Sequence, residues 1–246
     1  MRNLLLMVKE DFINLIKNPM WIFYATAFPV LLIVILGYLT GSAYGDTITS
    51  YDYYGITLMI YAILSSGMTS ANAFMEERIK KTNMRIVYAP GSVKNIFISK
   101  IIASFGFSFL LHIIDIIFLH LCFHVIIGNP LYLLILFGVT ELFSVTLGIM
   151  ICCIVKSEST TNQIQSIVVN ILAILGGVLF SLDSYGSTAI KISMISPVKW
   201  IVQSSFQMIY DKDMHLFLPT LMFLGISILV MLVICNITFR KEDCIC

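Results

Sequence analysis

Six apolar stretches, each long enough to cross a bilayer, divide this chain, and the loops between them alternate between rich and poor in lysine and arginine. The stretches run over 20–40, 53–75, 97–127, 130–155, 164–182 and 216–239. A hydrocarbon core of about 30 Å takes roughly 20 apolar residues per helix. The runs are continuous rather than alternating, and unpaired backbone groups are costly in lipid, so each is expected to be a helix and not a barrel strand. With 59% of residues hydrophobic, 12% charged and a mean hydropathy of +0.94, the chain has too little polar surface for a water-soluble fold of its length. The expected fold class is all-α integral membrane, one transmembrane domain over residues 1–246.

Orientation follows from the basic residues, which stay on the cytoplasmic side during insertion. With the N-terminus inside, the cytoplasmic segments hold Arg2, Lys9, Lys17, Arg78, Lys80, Lys81, Arg85, Lys94, Lys100, Lys156, Arg240 and Lys241, leaving Lys191, Lys199 and Lys212 outside. Both termini are therefore expected in the cytoplasm, in a multi-pass protein of the cell membrane. The net charge of +1 implies no nucleic-acid partner. Glu10 and Asp11 stand where a secretory signal would be basic, so no cleavage is expected. Residues 1–18 place Leu4, Leu5, Val8, Phe12, Leu15 and Ile16 on one helical face, a pattern that suits a helix lying in the membrane interface; Pro19 then opens the first span. All six cysteines (Cys122, Cys152, Cys153, Cys235, Cys244, Cys246) fall in spans or on the cytoplasmic side, which leaves no outer disulfide framework.

Segment 76–96 is far more polar than its surroundings, with Glu76, Glu77, Arg78, Lys80, Lys81 and Arg85 before Pro90-Gly91. It reads either as a short helix outside the membrane, ended by the proline and glycine, or as a solvated basic loop that fixes topology. Segment 183–215 is too broken to cross a bilayer and too apolar to be solvated: Ile190, Ile192, Ile195, Trp200 and Phe206 alternate with Lys191, Pro197, Lys199 and Gln203.

In sequence order, Glu77-Arg78, Thr82, Pro90 and Lys100 lie in or just after the charged loop, and Ser196-Pro197-Val198-Lys199-Trp200 precedes the last span. In this order and topology the chain resembles the membrane subunits of ABC-2 type transporters over essentially its whole length. It departs from them in one place, since Lys81 stands before Thr82 where the family often has glycine. The resemblance implies that 76–96 is a coupling loop docking on a separate ATPase, with Glu76, Glu77, Arg78, Lys81, Thr82, Arg85 and Pro90 at the contact. It also implies that 183–215 is a re-entrant hairpin, an outer gate with Pro197 and Trp200. The implied assembly is two permeases, identical or homologous, with two ATPase copies that carry the ATP and Mg; this chain binds no cofactor. The implied role is export of an amphipathic substrate such as a peptide antibiotic, toxin, lipid or drug, possessed by bacterial peptide-export, lantibiotic and self-immunity systems. No G-x-x-x-x-G-K-[ST] occurs, so the chain lacks the phosphate cradle for hydrolysing ATP itself.

Within the spans, Asp115 and Glu141 lie at similar depth on helices joined by the short Gly128-Asn129-Pro130 connection, with His112 one turn from Asp115. Charges at that depth cost about 2.5–3.5 kcal/mol each. The cluster reads as an interhelical hydrogen-bonded clamp, or as the site of a proton-coupled secondary transporter. His120 and His124 stand four apart without a third ligand, so no metal site is expected. Asn72, Gln163, Gln165 and Asn170 are candidates for a pathway lining or for helix packing. Gly37, Gly41 and Gly45, with Ser66, Gly67, Ser70 and Ala71, give small faces for close helix approach, within the chain or at a subunit interface.

Overall fold

The computed structural model describes residues 2–45, 48–75, 94–180 and 186–238. Among them are nine helices: α1 (Arg2–Ile16), α2 (Pro19–Leu39), α3 (Ser50–Met75), α4 (Lys94–Phe123), α5 (Pro130–Val155), α6 (Glu158–Gly176), α7 (Ser187–Ser193), α8 (Pro197–Phe206) and α9 (Phe217–Thr238).

The helix ends follow from local chemistry. Asn18 and Asn129 each cap a helix that opens with proline, their side-chain oxygens accepting from Met20 N and Leu131 N, both at 3.2 Å. Thr49 and Asp52 cap α3 reciprocally: Asp52 Oδ2 accepts from Thr49 N at 3.0 Å, and Thr49 Oγ1 accepts from Asp52 N at 3.1 Å. This cap starts α3 before the expected residue 53. At the far end of α4, His124 takes a left-handed φ of 56°, so the helix stops at Phe123 rather than continuing to 127. His124 thus leaves the helical register that would have set it above His120. Among the described residues no cluster of His, Cys, Asp or Glu could hold a metal.

The fifth apolar stretch is shifted from its expected position of 164–182. Ser157 caps α6 at its start, and Gly177, at φ 75°, ends it with Val178 N donating to Ala173 O at 3.0 Å. The polar Glu158-Ser-Thr-Thr-Asn-Gln run is thereby drawn into the helix, because capping chemistry outranks hydropathy at a helix end. In α2 the backbone widens to π geometry over Phe23–Ala27, just ahead of Pro29. Proline supplies no N–H and crowds the preceding turn, and the wider turn absorbs that mismatch.

Four helices, α2, α4 (from Ile96), α5 and α9, are long and apolar enough to cross a membrane. α3 and α6 fall short on apolarity for different reasons. α3 is the central post, buried along most of its length by α2, α4, α5, α6 and α8, so it carries Ser, Thr, Tyr and Asn that meet protein instead of lipid. α6 combines a polar first half with exposed Ile167, Ile171 and Ile174. Large apolar side chains lie bare around the bundle: Leu31 and Ile35 on α2, Leu110, Ile114, Ile117 and Leu121 on α4, Leu229, Val233 and Ile237 on α9. An apolar belt of this extent identifies a membrane protein.

The core is built on the crossing of α3 and α5. A Cβ added to Gly148 would stand 2.1 Å from the Gly67 carbonyl oxygen, and one on Gly67 would stand 2.4 Å from the Ser144 carbonyl oxygen. Hydroxyls close the same seam: Ser144 Oγ accepts from Gly67 N at 3.1 Å and donates to Leu64 O at 2.6 Å, while Ser70 Oγ lies 3.0 Å from Val145 O. Ala71 is fully buried beside this seam.

The N-terminal helix does not simply float on the interface. Leu15, Phe12 and Met7 pack against Phe107 and the Ile96/Phe97 cluster, and Asp11 forms a buried ion pair with Lys100 and accepts from Ser99 Oγ at 3.0 Å. Leu5 and Ile16, expected on the same face as Phe12 and Leu15, point outward. A salt bridge selects the face here, which hydropathy periodicity could not anticipate.

At the Thr49/Gly128 end of the bundle, α7 and α8 form two short helices separated at Ser196. Ser196 Oγ caps α8 and lies 2.9 Å from Leu172 O, and Gly176 admits Val198 against its backbone. Pro197 is the first residue of α8, and Trp200 Nε1 donates to Met194 O at 2.9 Å, which fastens α8 to α7.

Candidate functional site

One face of α4 is polar from Lys100 to Asp115 although the helix is long and apolar. Lys100, Ser104, Ser108, His112 and Asp115 recur at three- and four-residue steps and are all buried, while the opposite stripe of Leu110, Ile114, Ile117 and Leu121 is exposed. The helix is therefore amphipathic in the reverse of the water-soluble sense. The polar stripe begins with the Asp11–Lys100 pair, a contact made by a residue that the sequence did not single out.

At the middle of the stripe, His112 Nδ1 lies 2.7 Å from Glu141 Oε2 of α5, the two side chains being 2% and 0% exposed. The histidine takes Glu141, and Asp115 stands apart with its Oδ2 buried and without a hydrogen-bond partner among the described residues. An imidazole and a carboxyl relieve each other's burial, whereas two carboxyls in contact resist joint ionisation, so the heteropair is the stable arrangement.

His112 also lines an open-sided cavity of about 350 Å³ bordered by α2, α3, α4 and α6. Trp21, Tyr24 and Phe28 of α2 and Tyr61 of α3 form its aromatic side. Ser65, Thr69 and Asn72 of α3, Ser108 and His112 of α4, and Asn162 and Ser166 of α6 form its polar side. Asn162 Nδ2 donates to Asn72 Oδ1 at 2.9 Å, joining α3 to α6 across the wall, and Asn72 Nδ2 donates to Met68 O at 2.8 Å.

The other residues singled out in the sequence are dispersed. Gln165 is fully buried against Gly67, neither amide atom having a partner among the described residues. Gln163 is exposed. Asn170 is exposed and accepts from Tyr61 Oη at 3.0 Å, one turn beyond the cavity-lining Ser166. Gly37 packs within the chain, where an added Cβ would stand 2.5 Å from the Tyr51 ring; Gly41 is exposed. Glu76, Glu77, Arg78, Lys81, Thr82, Arg85 and Pro90 lie outside the described residues, as do Cys244 and Cys246. Sequence reasoning missed Ser108, Asn162, Ser166 and the aromatic quartet. The four-residue step from Ser104 through Ser108 to His112 was the available signal for the first.

A sequence-family model described as ABC-2 type transporter matches residues 2–210, from the first residue of α1 to the turn after α8. The chain belongs to the ABC-2 type transporter family. No curated protein matched it. This ABC-2 permease is accordingly a membrane transport component of an ABC system, whose ATP chemistry the family assigns to a partner ATPase.

Proposed function

We propose that this ABC-2 permease exports an amphipathic substrate, a peptide antibiotic or toxin, a lipid or a drug, across the cytoplasmic membrane with energy from a partner ATPase. The observation that carries the reading is the family match combined with a cavity that has one aromatic and one polar side among four helices. In this reading α3 and α6 join the four apolar helices as the second and fifth of six spans, both termini are cytoplasmic, and α7–α8 re-enter the outer leaflet as a gate with Pro197 and Trp200. Two permeases pair and two ATPase copies, which hold ATP and Mg, dock on the loop at Glu77, Arg78 and Arg85. The Asp11–Lys100 pair ties α1 to α4, so a push on the loop that precedes α4 moves α1 with it.

Affinity purification followed by mass spectrometry tests this, with the wild type compared to a Glu77→Lys/Arg78→Glu variant. Recovery of a Walker-motif ATPase with the wild type only is expected. A monodisperse wild-type preparation that brings no ATPase overturns the reading. The His112–Glu141 pair with nearby Asp115 favours one second reading, a proton-coupled secondary transporter. It requires uptake or export driven by a proton gradient alone and abolished by Asp115→Asn.

A further inference from the structure

We propose that Cys153 of α5 and Cys235 of α9 form a redox site, a thiol pair that a two-electron oxidant of the azo or hydroperoxide class converts into a disulfide strapping α9 to the bundle. The proposal is independent of the export reading. The family match ends at residue 210, before α9 begins at Phe217, and so covers neither α9 nor Cys235.

Two contacts set the register of α9 on α5. At the start of both helices the Tyr132 and Phe217 rings meet edge to face, their centroids 5.5 Å apart. Cys153 lies 21 residues beyond Tyr132 and Cys235 lies 18 beyond Phe217, roughly 31 and 27 Å along the two axes. Parallel helices that start together thus bring the two cysteines to matching depth, two and three residues before the ends at Val155 and Thr238. There the thiols hydrogen-bond one another, both residues 0% exposed in one apolar cluster with Phe97, Val145 and Ile149. The neighbouring Cys152 turns toward α3, its Sγ lying 3.9 Å from Ala71 O.

The attachment of α9 makes this pair matter. Its buried face consists of Thr220, Leu224, Ile228, Met231 and Cys235, about one residue per turn. The hydroxyls of Thr220 and Ser227 donate to carbonyls four residues earlier in the chain, Leu216 O and Phe223 O, and so tie α9 to itself and not to a neighbour. Helices in lipid gain little from apolar association, so α9 is held to α5 by close packing and by the thiol pair near its end. A helix end held in this way is where local opening starts, and opening admits an oxidant to thiols that the closed conformation buries. Each thiol then gives up its hydrogen and the two sulfur atoms join. The two electrons and two protons reduce an azo N=N bond to a hydrazine, or a hydroperoxide to an alcohol and water. A covalent bond of about 2 Å replaces the hydrogen bond, and α9 no longer parts from α5 at that end.

The test uses the full chain in lipid nanodiscs without nucleotide or ATPase, with Cys244→Ser and Cys246→Ser removing the two terminal thiols. The probe is diamide, followed by N-ethylmaleimide before unfolding and by peptide mapping without reductant. A cross-linked peptide pair holding Cys153 and Cys235 is expected, retained in Cys152→Ser and lost in both Cys153→Ser and Cys235→Ala. Hydrogen exchange over the last turn of α9 should slow by about tenfold or more on oxidation, and dithiothreitol should restore it. A Cys152–Cys235 link, a Cys153–Cys235 link that forms only after unfolding, or no link while diamide consumes the exposed Cys122 thiol overturns the proposal. A link that leaves the exchange of α9 unchanged overturns the strap.

Discussion

The two seams of α5 differ in kind. Toward α3, Gly67, Gly148, Ser144 and Ser70 bring the backbones together and pair the hydroxyls with carbonyls and an amide. Toward α4, helices meet through the His112–Glu141 pair, where His112 Nε2, Asp115 Oδ2 and Glu141 Oε1 lie buried without partners among the described residues, as do Ser104 Oγ and Ser108 Oγ on the same stripe of α4. Gln165, set against Gly67 from α6, is the exception on the first side. In lipid there is little apolar driving force between helices, so close contact and satisfied polar groups hold them. The α3 seam has both. The α4 seam keeps polar capacity unused.

The comparison breaks most decisively at Gly148. Gly148→Val places a Cβ at 2.1 Å from a backbone oxygen that has no room to retreat, and we expect no monodisperse protein after detergent extraction. Normal recovery would mean that the α3–α5 seam is looser than described. Next in size is Glu141→Leu, which strands a buried imidazole and should cost about 3 kcal/mol in denaturant titration, with the His112→Leu/Glu141→Leu double variant regaining most of it. Additive losses in the double variant would show that the pair is not coupled.

Lys100→Met removes the partner of Asp11 and should cost about 2 kcal/mol, localised to α1. Hydrogen exchange across residues 2–16 should rise while α5 stays protected; a uniform rise would mean that the pair supports the whole bundle. The smallest effects sharpen the contrast itself. Ser144→Ala, which removes a hydroxyl bonded twice, should destabilise by about 1 kcal/mol, whereas Ser108→Ala should stay within about 0.5 kcal/mol. Equal losses at the two positions would erase the distinction between the seams.

Hydropathy alone was enough to place the apolar helices, and α5 matches its expected span of 130–155 end to end. It failed where other forces set the boundary. Ser157 and Gly177 moved α6 toward the N-terminus, and a left-handed His124 cut α4 short. Of the candidate site residues, His112, Glu141 and Asn72 were legible because polar groups are rare and costly in apolar spans. Gln163 and Asn170 carried the same signal yet face outward on α6, since a polar residue by itself does not say which neighbour meets it.

By itself the sequence determined that this chain is a helical membrane protein, because the length and continuity of its apolar runs leave lipid as the only solvent that suits them, and the ABC-2 family match is likewise a match of sequence, over residues 2–210. Only the tertiary structure decided that Glu141 pairs with His112 rather than Asp115, that Asp11 meets Lys100, and that Trp21, Tyr61 and Asn162 share one cavity. Those outcomes depend on helix rotation and crossing, set by contacts between residues far apart in the chain, such as Gly67 with Gly148. Periodicity names the faces of a helix; packing chooses which face meets which.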